Sequence, residues 1–314
     1  MLGLSKPVAS ITVDLDTSHH YRAIHGLPDR GRSECDGTYS VGVRRLLDLF
    51  AEHDIPATLF VIGQDTEMPA HRELLKEAHD AGHELGNHTY YHRYNLRTLS
   101  EPEILDDMQR GEDAIERITG AAPLGFRTPG YNIDDWLYHL IEDRGYAYDS
   151  SIFPCPPYYV AKGLVMTMLK LRGNPSRSAM TPPSTLLAPI TPYRPSARSI
   201  WRADEASTRP WQVPMCLVPG VRFPLIGTSL HLVKEQGFQA MMPLLRRAHP
   251  DLFQLEFHSI DFMDRHDEGV DDLVGHQPDL SIPWEVKRER YSAIFRALKK
   301  HYRFDTLLEG VRSL

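Results

Sequence analysis

The chain has 314 residues, enough for one large α/β domain or two small ones. Hydrophobic residues make up 41% and charged residues 25%, an ordinary soluble composition. The formal net charge of −7 argues against nucleic acid as a partner, because that role usually needs a basic face. Cys35, Cys155 and Cys216 are odd in number, far apart and without a CxxC pair. That pattern argues against a disulfide framework or a cysteine zinc site, and they read as ordinary thiols of a reducing compartment.

Residues 1–13 are too short of apolar sequence, and too polar at Ser10 and Thr12, for a signal-peptide core. No run approaches the ~18–20 apolar residues of a membrane span. A cytoplasmic location is expected, with peripheral membrane contact left open. Residues 8–14 read as a first strand. Val43, Leu46, Leu47 and Phe50 recur at helical spacing. A short apolar run at 55–62 predicts a buried strand, and Leu74, Leu75, Ala78 and Ala81 a helix closed by Gly82. Ser100-Glu101-Pro102-Glu103 is a capping box for a long helix ending at Gly120. A strand at 124–127, a helix at 133–144 and a strand at 146–148 follow. Strands alternating with helices imply a parallel sheet, open or closed into a barrel.

The alternation stops at residue 153. Thirteen of the 24 prolines fall between 154 and 224, where loops, extended segments and one short helix near 165–171 are expected. This stretch reads as a cap or insertion on a single catalytic domain spanning 1–314. The pattern resumes with a helix at 235–248, a strand at 252–258, a helix at 284–301 and a strand at 302–307.

Four groups of residues bear chemistry. His88 and His92, four apart after a predicted strand, would share one face of a helical turn and can chelate one ion, although 16 histidines also produce such spacing by chance. Asp14 and Asp16 end the first strand and, two apart, would point to the same side. One could ligate a metal while the other acts as base; an N-cap or solvated pair would read the same way. Arg127, in Arg127-Thr128-Pro129-Gly130-Tyr131-Asn132, can hold a carboxylate, and Pro129 and Gly130 fix a loop that could present a backbone N–H; a plain turn would look alike. His258 ends a late strand and could be a general acid, with Asp149 placed to tune it. All four groups fall at C-terminal strand ends, the rim where a parallel barrel gathers its chemistry.

The run Gly82-His83-Glu84-Leu85-Gly86-Asn87-His88-Thr89-Tyr90-Tyr91-His92 resembles the metal-binding motif of the polysaccharide deacetylases, carbohydrate esterase family 4. Asp14-Leu15-Asp16 resembles the family's first motif in its Asp-x-Asp form. Arg127-Thr128-Pro129-Gly130-Tyr131 is similar to the third, Tyr148-Asp149-Ser150-Ser151 to the fourth and Leu255-Glu256-Phe257-His258 to the fifth. The resemblance implies a distorted (β/α)7-type barrel. It also implies a divalent metal, Zn2+ first with Co2+, Ni2+ or Mn2+ as alternatives, held by Asp16, His88 and His92. It implies Asp14 as base with Arg127 holding it, an oxyanion-facing amide at Gly130 or Tyr131, and His258 as proton donor. The family's commonest first motif has adjacent aspartates; Leu15 separates them here, so which aspartate is base and which is ligand stays open. The implied activity is hydrolysis of an N-acetyl or N-formyl group on an amino sugar or glycoconjugate, free or lipid-linked. The alternatives are an amide or cyclic imide hydrolase on the same scaffold, and a sugar-binding homologue without catalysis. Residues 165–172, apolar with flanking base, could touch a membrane face but are expected to pack on the barrel.

Overall fold

The computed structural model describes residues 6–33, 35–171 and 179–314. Residues 1–5, and Arg172 at the end of the apolar basic segment, lie outside the described residues. The main sheet contains β1 (Val8–Asp14), β2 (Ala57–Val61), β3 (Glu84–Asn87), β4 (Gly125–Phe126), β5 (Tyr148–Asp149), β6 (Trp211–Gln212), β7 (Leu252–His258) and β8 (Arg303–Phe304). The order is β7-β1-β2-β3-β4-β5-β6, with β8 also on β1, and all pairs are parallel. The helices are α1 (Ser18–His25), α2 (Arg44–Glu52), α3 (Pro69–Asp80), α4 (Glu101–Thr119), α5 (Asp135–Asp143), α6 (Pro156–Leu171), α7 (Gly227–Ala248, broken at Lys234), α8 (Trp284–Lys299) and α9 (Leu307–Arg312).

Every residue of β1 is buried, as a parallel strand covered on both faces must be. Ile11, Val13 and Leu59 of the sheet pack with Leu46 and Phe50 of α2, Leu75 of α3, Phe238 of α7 and Phe295 of α8. The sheet curls into the distorted half-barrel that the resemblance implies. Strand pairing stops at β7, beside which a single parallel bridge joins Ile226 to Glu256.

The register aligns the strand ends. Asp14 pairs with both His258 and Phe60, Val61 with Asn87, Asn87 with Phe126, and Phe126 with Asp149. The ladder then continues one bond further. Leu15 N–H donates to Phe60 O at 3.1 Å, His88 N–H to Val61 O at 3.0 Å, Arg127 N–H to Asn87 O at 3.0 Å, and Ser150 N–H to Phe126 O at 2.8 Å. The sheet itself thus fixes the first residue beyond each strand.

Several expectations are corrected. Residues 154–224 are more than a cap, because β6 from this stretch pairs with β5 in the main sheet. The same stretch adds two short antiparallel pairs, Pro195–Ser196 with Ser199–Ala203 and Leu217–Val218 with Phe223–Pro224. The short helix expected near 165–171 is the longer α6, and it does not pack down its length. Val160, Leu164, Val165, Met168 and Leu171 are at least half exposed. Helices α1 and α9 had no expectation. α1 buries polar side chains, Ser18, His20 and Arg22, so it carries no hydrophobic period. Arg22 Nε donates to Asp272 Oδ2 at 2.9 Å and Arg22 Nη1 to Ser18 Oγ at 2.7 Å. Among the described residues no helix is long and apolar enough to cross a membrane. All three cysteines are free thiols.

α4 approaches β3 at Gly111. A Cβ there would sit 2.3 Å from Asn87 Oδ1. Asn87 is the residue before His88, and its amide donates to Met108 O at 3.0 Å and Tyr146 Oη at 2.7 Å. Gly111→Ala should therefore overpack this contact and cost about 1–3 kcal/mol, despite alanine's better helix propensity. Thermal denaturation measures it; an unchanged or raised Tm would show that the contact is not tight.

Candidate metal centre

The segment 88–92 is an irregular loop and not the helical turn expected from the spacing. Thr89 and His92 hold left-handed φ values of 64° and 53°, strained for residues with a Cβ. A network imposes that shape. Thr89 N–H donates to Asn87 Oδ1 at 2.9 Å, and His92 N–H to Thr89 Oγ1 at 3.1 Å. Tyr90 and Tyr91 N–H both donate to Asp107 Oδ1 of α4, at 2.7 and 2.8 Å. Gly63 and Gln64 N–H donate to Thr89 O and Tyr90 O, each at 2.9 Å. Asp107 carries no sequence signal beyond being an acid in a helix, so the sequence reading missed it.

This loop brings His88 and His92 onto Asp16. One ligand atom from each of the three lies within 4.8 Å of the other two, and all three side chains are buried. His92 Nε2 is 3.2 Å and His88 Nε2 3.8 Å from Asp16 Oδ1. His88 Nδ1 lies 2.7 Å from Arg127 O. Donation of Nδ1–H to that carbonyl leaves the Nε2 lone pair facing the carboxylates, the tautomer a metal ligand needs. Burial lowers His88 to about 4 against the pull of Asp14 and Asp16, and burial lowers His92 as well. Burial would raise Asp16, but His92, His258 and His88 outweigh it and hold the carboxyl below its usual range. Two neutral imidazoles and one carboxylate result. Asp16 Oδ1 and His92 Nε2 are buried without a hydrogen-bond partner among the described residues. Such orphaned lone pairs, converging from an N,N,O donor set, fit a divalent cation.

Asp14 sits beside this group, its Oδ2 3.7 Å from His88 Nε2. The two aspartates do share a side, although β1 ends at Asp14, and Leu15 between them turns fully into the core. Arg127 Nη1 donates to Asp14 Oδ1 at 2.5 Å, Nη2 to Thr12 Oγ1 at 3.1 Å and Ser150 Oγ at 3.0 Å, and Nε to Ser150 O at 3.0 Å. The guanidinium lies 4.0 Å over the Phe60 ring and is fully buried.

His258 is the exception to burial, with 24% of its side chain exposed. Its neighbours correct the role expected of Asp149. Asp149 Oδ1 accepts from Ser151 Oγ at 2.5 Å, and that hydroxyl accepts from Thr128 N–H at 2.8 Å. Asp149 thus steadies the Arg127 loop, and among the described residues no contact takes it to His258. The carboxylate beside His258 is Glu256, two residues earlier on the same strand, 3.8 Å from Nδ1. Glu256 also accepts the Tyr131 hydroxyl, and burial raises it to about 7. Burial works against a charged His258 ring, but Glu256, Asp14 and Asp16 outweigh it and raise His258 to about 9. The strand's alternation, which puts residues two apart on one face, was the available signal for Glu256.

Gly130 and Tyr131 both adopt left-handed φ, 62° and 57°. The Tyr131 N–H closes a turn to Thr128 O at 3.2 Å, so that amide is already partly engaged. His20, also unanticipated, packs its ring 4.5 Å from that of His92, and burial lowers it to about 3.

Fold and site together define an α/β half-barrel with a buried Asp-His-His group on its C-terminal rim that could hold a cation. The polysaccharide deacetylase family profile matches residues 35–148. A peptidoglycan deacetylase of Helicobacter pylori is 32% identical over 155 residues, covering 48% of this chain and 52% of that protein. A chitin deacetylase of Colletotrichum lindemuthianum is 34% identical over 109 residues, 31% of this chain and 44% of that one. The chain spans about half, or less, of the length of these curated relatives. A Mycobacterium smegmatis structure assigned to the polysaccharide deacetylases superposes with a TM-score of 0.60 at 18% identity, covering 99% of this chain and 91% of that one. Puue allantoinase does so at 0.57 and 16%, covering 100% and 91%; at such identities the likeness is one of fold. Over residues 35–148 the chain is similar to the polysaccharide deacetylases.

Asp107→Ala should leave the part-buried Tyr91 N–H without its acceptor, at about 1–3 kcal/mol, and leave the Tyr90 N–H only the Asp107 backbone carbonyl at 3.1 Å. Metal affinity and Tm should both fall. Asp107→Asn keeps a carbonyl oxygen and should lose less. Equal metal titrations for wild type and Asp107→Ala would show that the loop holds its shape without the carboxylate.

Proposed function

We propose that the protein is a metal-dependent hydrolase that removes an N-acyl group, acetyl in the first place, from an amino sugar of a polysaccharide or glycoconjugate. The observation that carries this reading is the buried Asp16-His88-His92 group with Asp14 on one side and His258 on the other. The relatives, a peptidoglycan and a chitin deacetylase, supply the substrate class and favour acetyl over formyl.

A divalent ion held by Asp16, His88 and His92, Zn2+ in this proposal, would supply Lewis acidity toward water and the scissile carbonyl. Asp14 takes the proton of the attacking water, with Arg127 fixing the orientation of its carboxylate and favouring its charged form. A backbone N–H at Gly130 or Tyr131 is the proposed donor to the developing oxyanion. His258, protonated and the partly exposed member of the set, gives its proton to the departing nitrogen as the C–N bond breaks. Without that proton the leaving group would be an amide anion, which is far too basic to leave.

Purified protein should bind one divalent ion and release acetate from N-acetylated oligosaccharides, and chelation should abolish turnover. His88→Ala and His92→Ala should lose both metal and activity. Asp14→Asn should keep the ion and lose about 10²–10⁴-fold in rate, the range of general-base catalysis. Full metal loading with no acid released from any N-acyl sugar would leave a binding protein instead.

His258 acts in its protonated form, so its raised affinity for the proton extends activity to higher pH, and activity should fall as pH rises through the His258 pKa. Glu256→Gln removes the largest raising charge and should move that alkaline limb to lower pH while leaving metal content unchanged. A limb that stays in place would assign it to another group.

A further inference from the structure

The Pro-rich insertion reaches the site at the Gly130 loop. Lys162 of α6 is half-buried there, and its Nζ donates to Gly130 O at 3.3 Å. Among the described residues its other contact is the Tyr158 ring, 6.0 Å to the centroid, and no carboxylate pairs with it. Burial, and then the charge of Arg97, bring its pKa down to about 8, so it is still protonated at neutral pH. Thr181, also from the insertion, donates from Oγ1 to Tyr131 O at 3.4 Å. Two successive carbonyls of the loop are thus held by side chains of the insertion.

Gly130 and Tyr131 hold left-handed backbone in succession, and a tyrosine stays there only when its surroundings fix it. The loop borders His92. A Cβ on Gly130 would meet Tyr94 Cδ1 at 2.9 Å, and the Tyr94 ring packs edge-on 4.7 Å from that of His92. The Gly130 C=O and the Tyr131 N–H are the two ends of one peptide unit. A cation on the oxygen draws electron density from the nitrogen, so the N–H becomes a stronger donor. The bond of that N–H to Thr128 O, at 3.2 Å, lies at the long end of the normal range, so a charged acceptor can still compete for it. The Gly130 N–H belongs to the preceding peptide unit, whose carbonyl is that of Pro129, and Lys162 does not polarise it.

We propose that Lys162 is a positioning residue for the hydrolysis: from the insertion it fixes and polarises the Gly130–Tyr131 peptide, and so makes the Tyr131 N–H the donor to the tetrahedral oxyanion. Its role rests on the deacylase reading of the site. Lys162 touches neither the substrate nor the leaving nitrogen. Its charge acts through one peptide bond and counts most when the carbonyl oxygen of the substrate becomes an oxyanion. Lys162 therefore affects the transition state more than the bound substrate.

The test compares wild type, Lys162→Met and Lys162→Arg as metal-loaded whole protein. Each is measured for metal content, Tm, kcat and KM on an N-acetylglucosamine oligomer. Calorimetry adds the affinity for the same oligomer with one acetyl replaced by methylphosphonyl, a stable tetrahedral anion. Lys162→Met should keep its metal and Tm, keep KM within about twofold and lose about tenfold in kcat. That loss is smaller than for removal of an oxyanion donor, because the donor stays and is only weakened. Affinity for the phosphonyl oligomer should fall by the same factor, a readout that needs no turnover. Lys162→Arg keeps the charge and a donor and should stay within about threefold of wild type. Unchanged kcat in Lys162→Met would overturn the proposal. A raised KM at constant kcat would also do so, since Lys162 would then meet the substrate itself. Lost metal or a lowered Tm would make Lys162 an anchor of the fold instead, and a Lys162→Arg variant as slow as Lys162→Met would remove the role of charge. Wild type that releases no acid from any N-acyl sugar would strike the deacylase reading, and this role with it; active wild type with an equally active Lys162→Met would strike this role alone.

Discussion

The guanidinium of Arg127 is buried at the C-terminal rim of the sheet, and most of the site is arranged around it. Its side chain orients Asp14, while its own backbone carbonyl takes the Nδ1 proton of His88 and turns the other ring nitrogen toward Asp16. One residue therefore orients both the proposed base and a proposed metal ligand. A buried charge is tolerable only when it is paired and fully hydrogen-bonded. Asp14, Thr12, Ser150 and the face of Phe60 meet that demand, and they come from three strands or the residue just beyond one, β1, β2 and β5. The aligned register of the parallel strands is what makes them meet.

The same logic explains the loop that follows β3. Left-handed backbone at Thr89 and His92 would relax in a free peptide. Here Asn87, Asp107 and the chain at Gly63 and Gln64 hold it from three sides. The loop's strain and the close approach of α4 at Gly111 belong together, since Asn87 sits between them. The geometry of the proposed ligands His88 and His92 thus depends on a helix that contributes none of them.

Much of this was legible in the sequence, and for a physical reason. β1 and β7 appear at their full lengths because apolar residues recur at every second position, Ala9, Ile11 and Val13 in one and Phe253, Leu255 and Phe257 in the other. The residues at strand ends stood out because parallel folds gather their chemistry there. Features held by polar contacts were not legible. α1 docks through Arg22 and Asp272, and β6 is two residues after a proline, so neither leaves a hydrophobic period. The spacing of His88 and His92 suggested a helical turn, whereas Asp107, distant in sequence, dictates a loop. Asp149 follows a strand as a partner of His258 would, but Ser151 captures it, and Glu256 takes the place beside the imidazole.

Two groups of side chains on the rim could hold a cation, Asp16-His88-His92 and Asp14-Glu256-His258. In the second, Asp14 already answers Arg127 and Glu256 answers Tyr131. Each group keeps an orphaned oxygen, Asp16 Oδ1 in the first and Glu256 Oε2 in the second, but a dication in the second would also face the guanidinium, whereas the first has no such neighbour among its contacts. The most direct test is a crystal structure of the metal-loaded protein with anomalous scattering recorded at the metal edge. The account predicts a single peak about 2.0–2.2 Å from Asp16 Oδ1, His88 Nε2 and His92 Nε2. A peak among Asp14, Glu256 and His258 would contradict it, because the proposed base and acid would then be ligands.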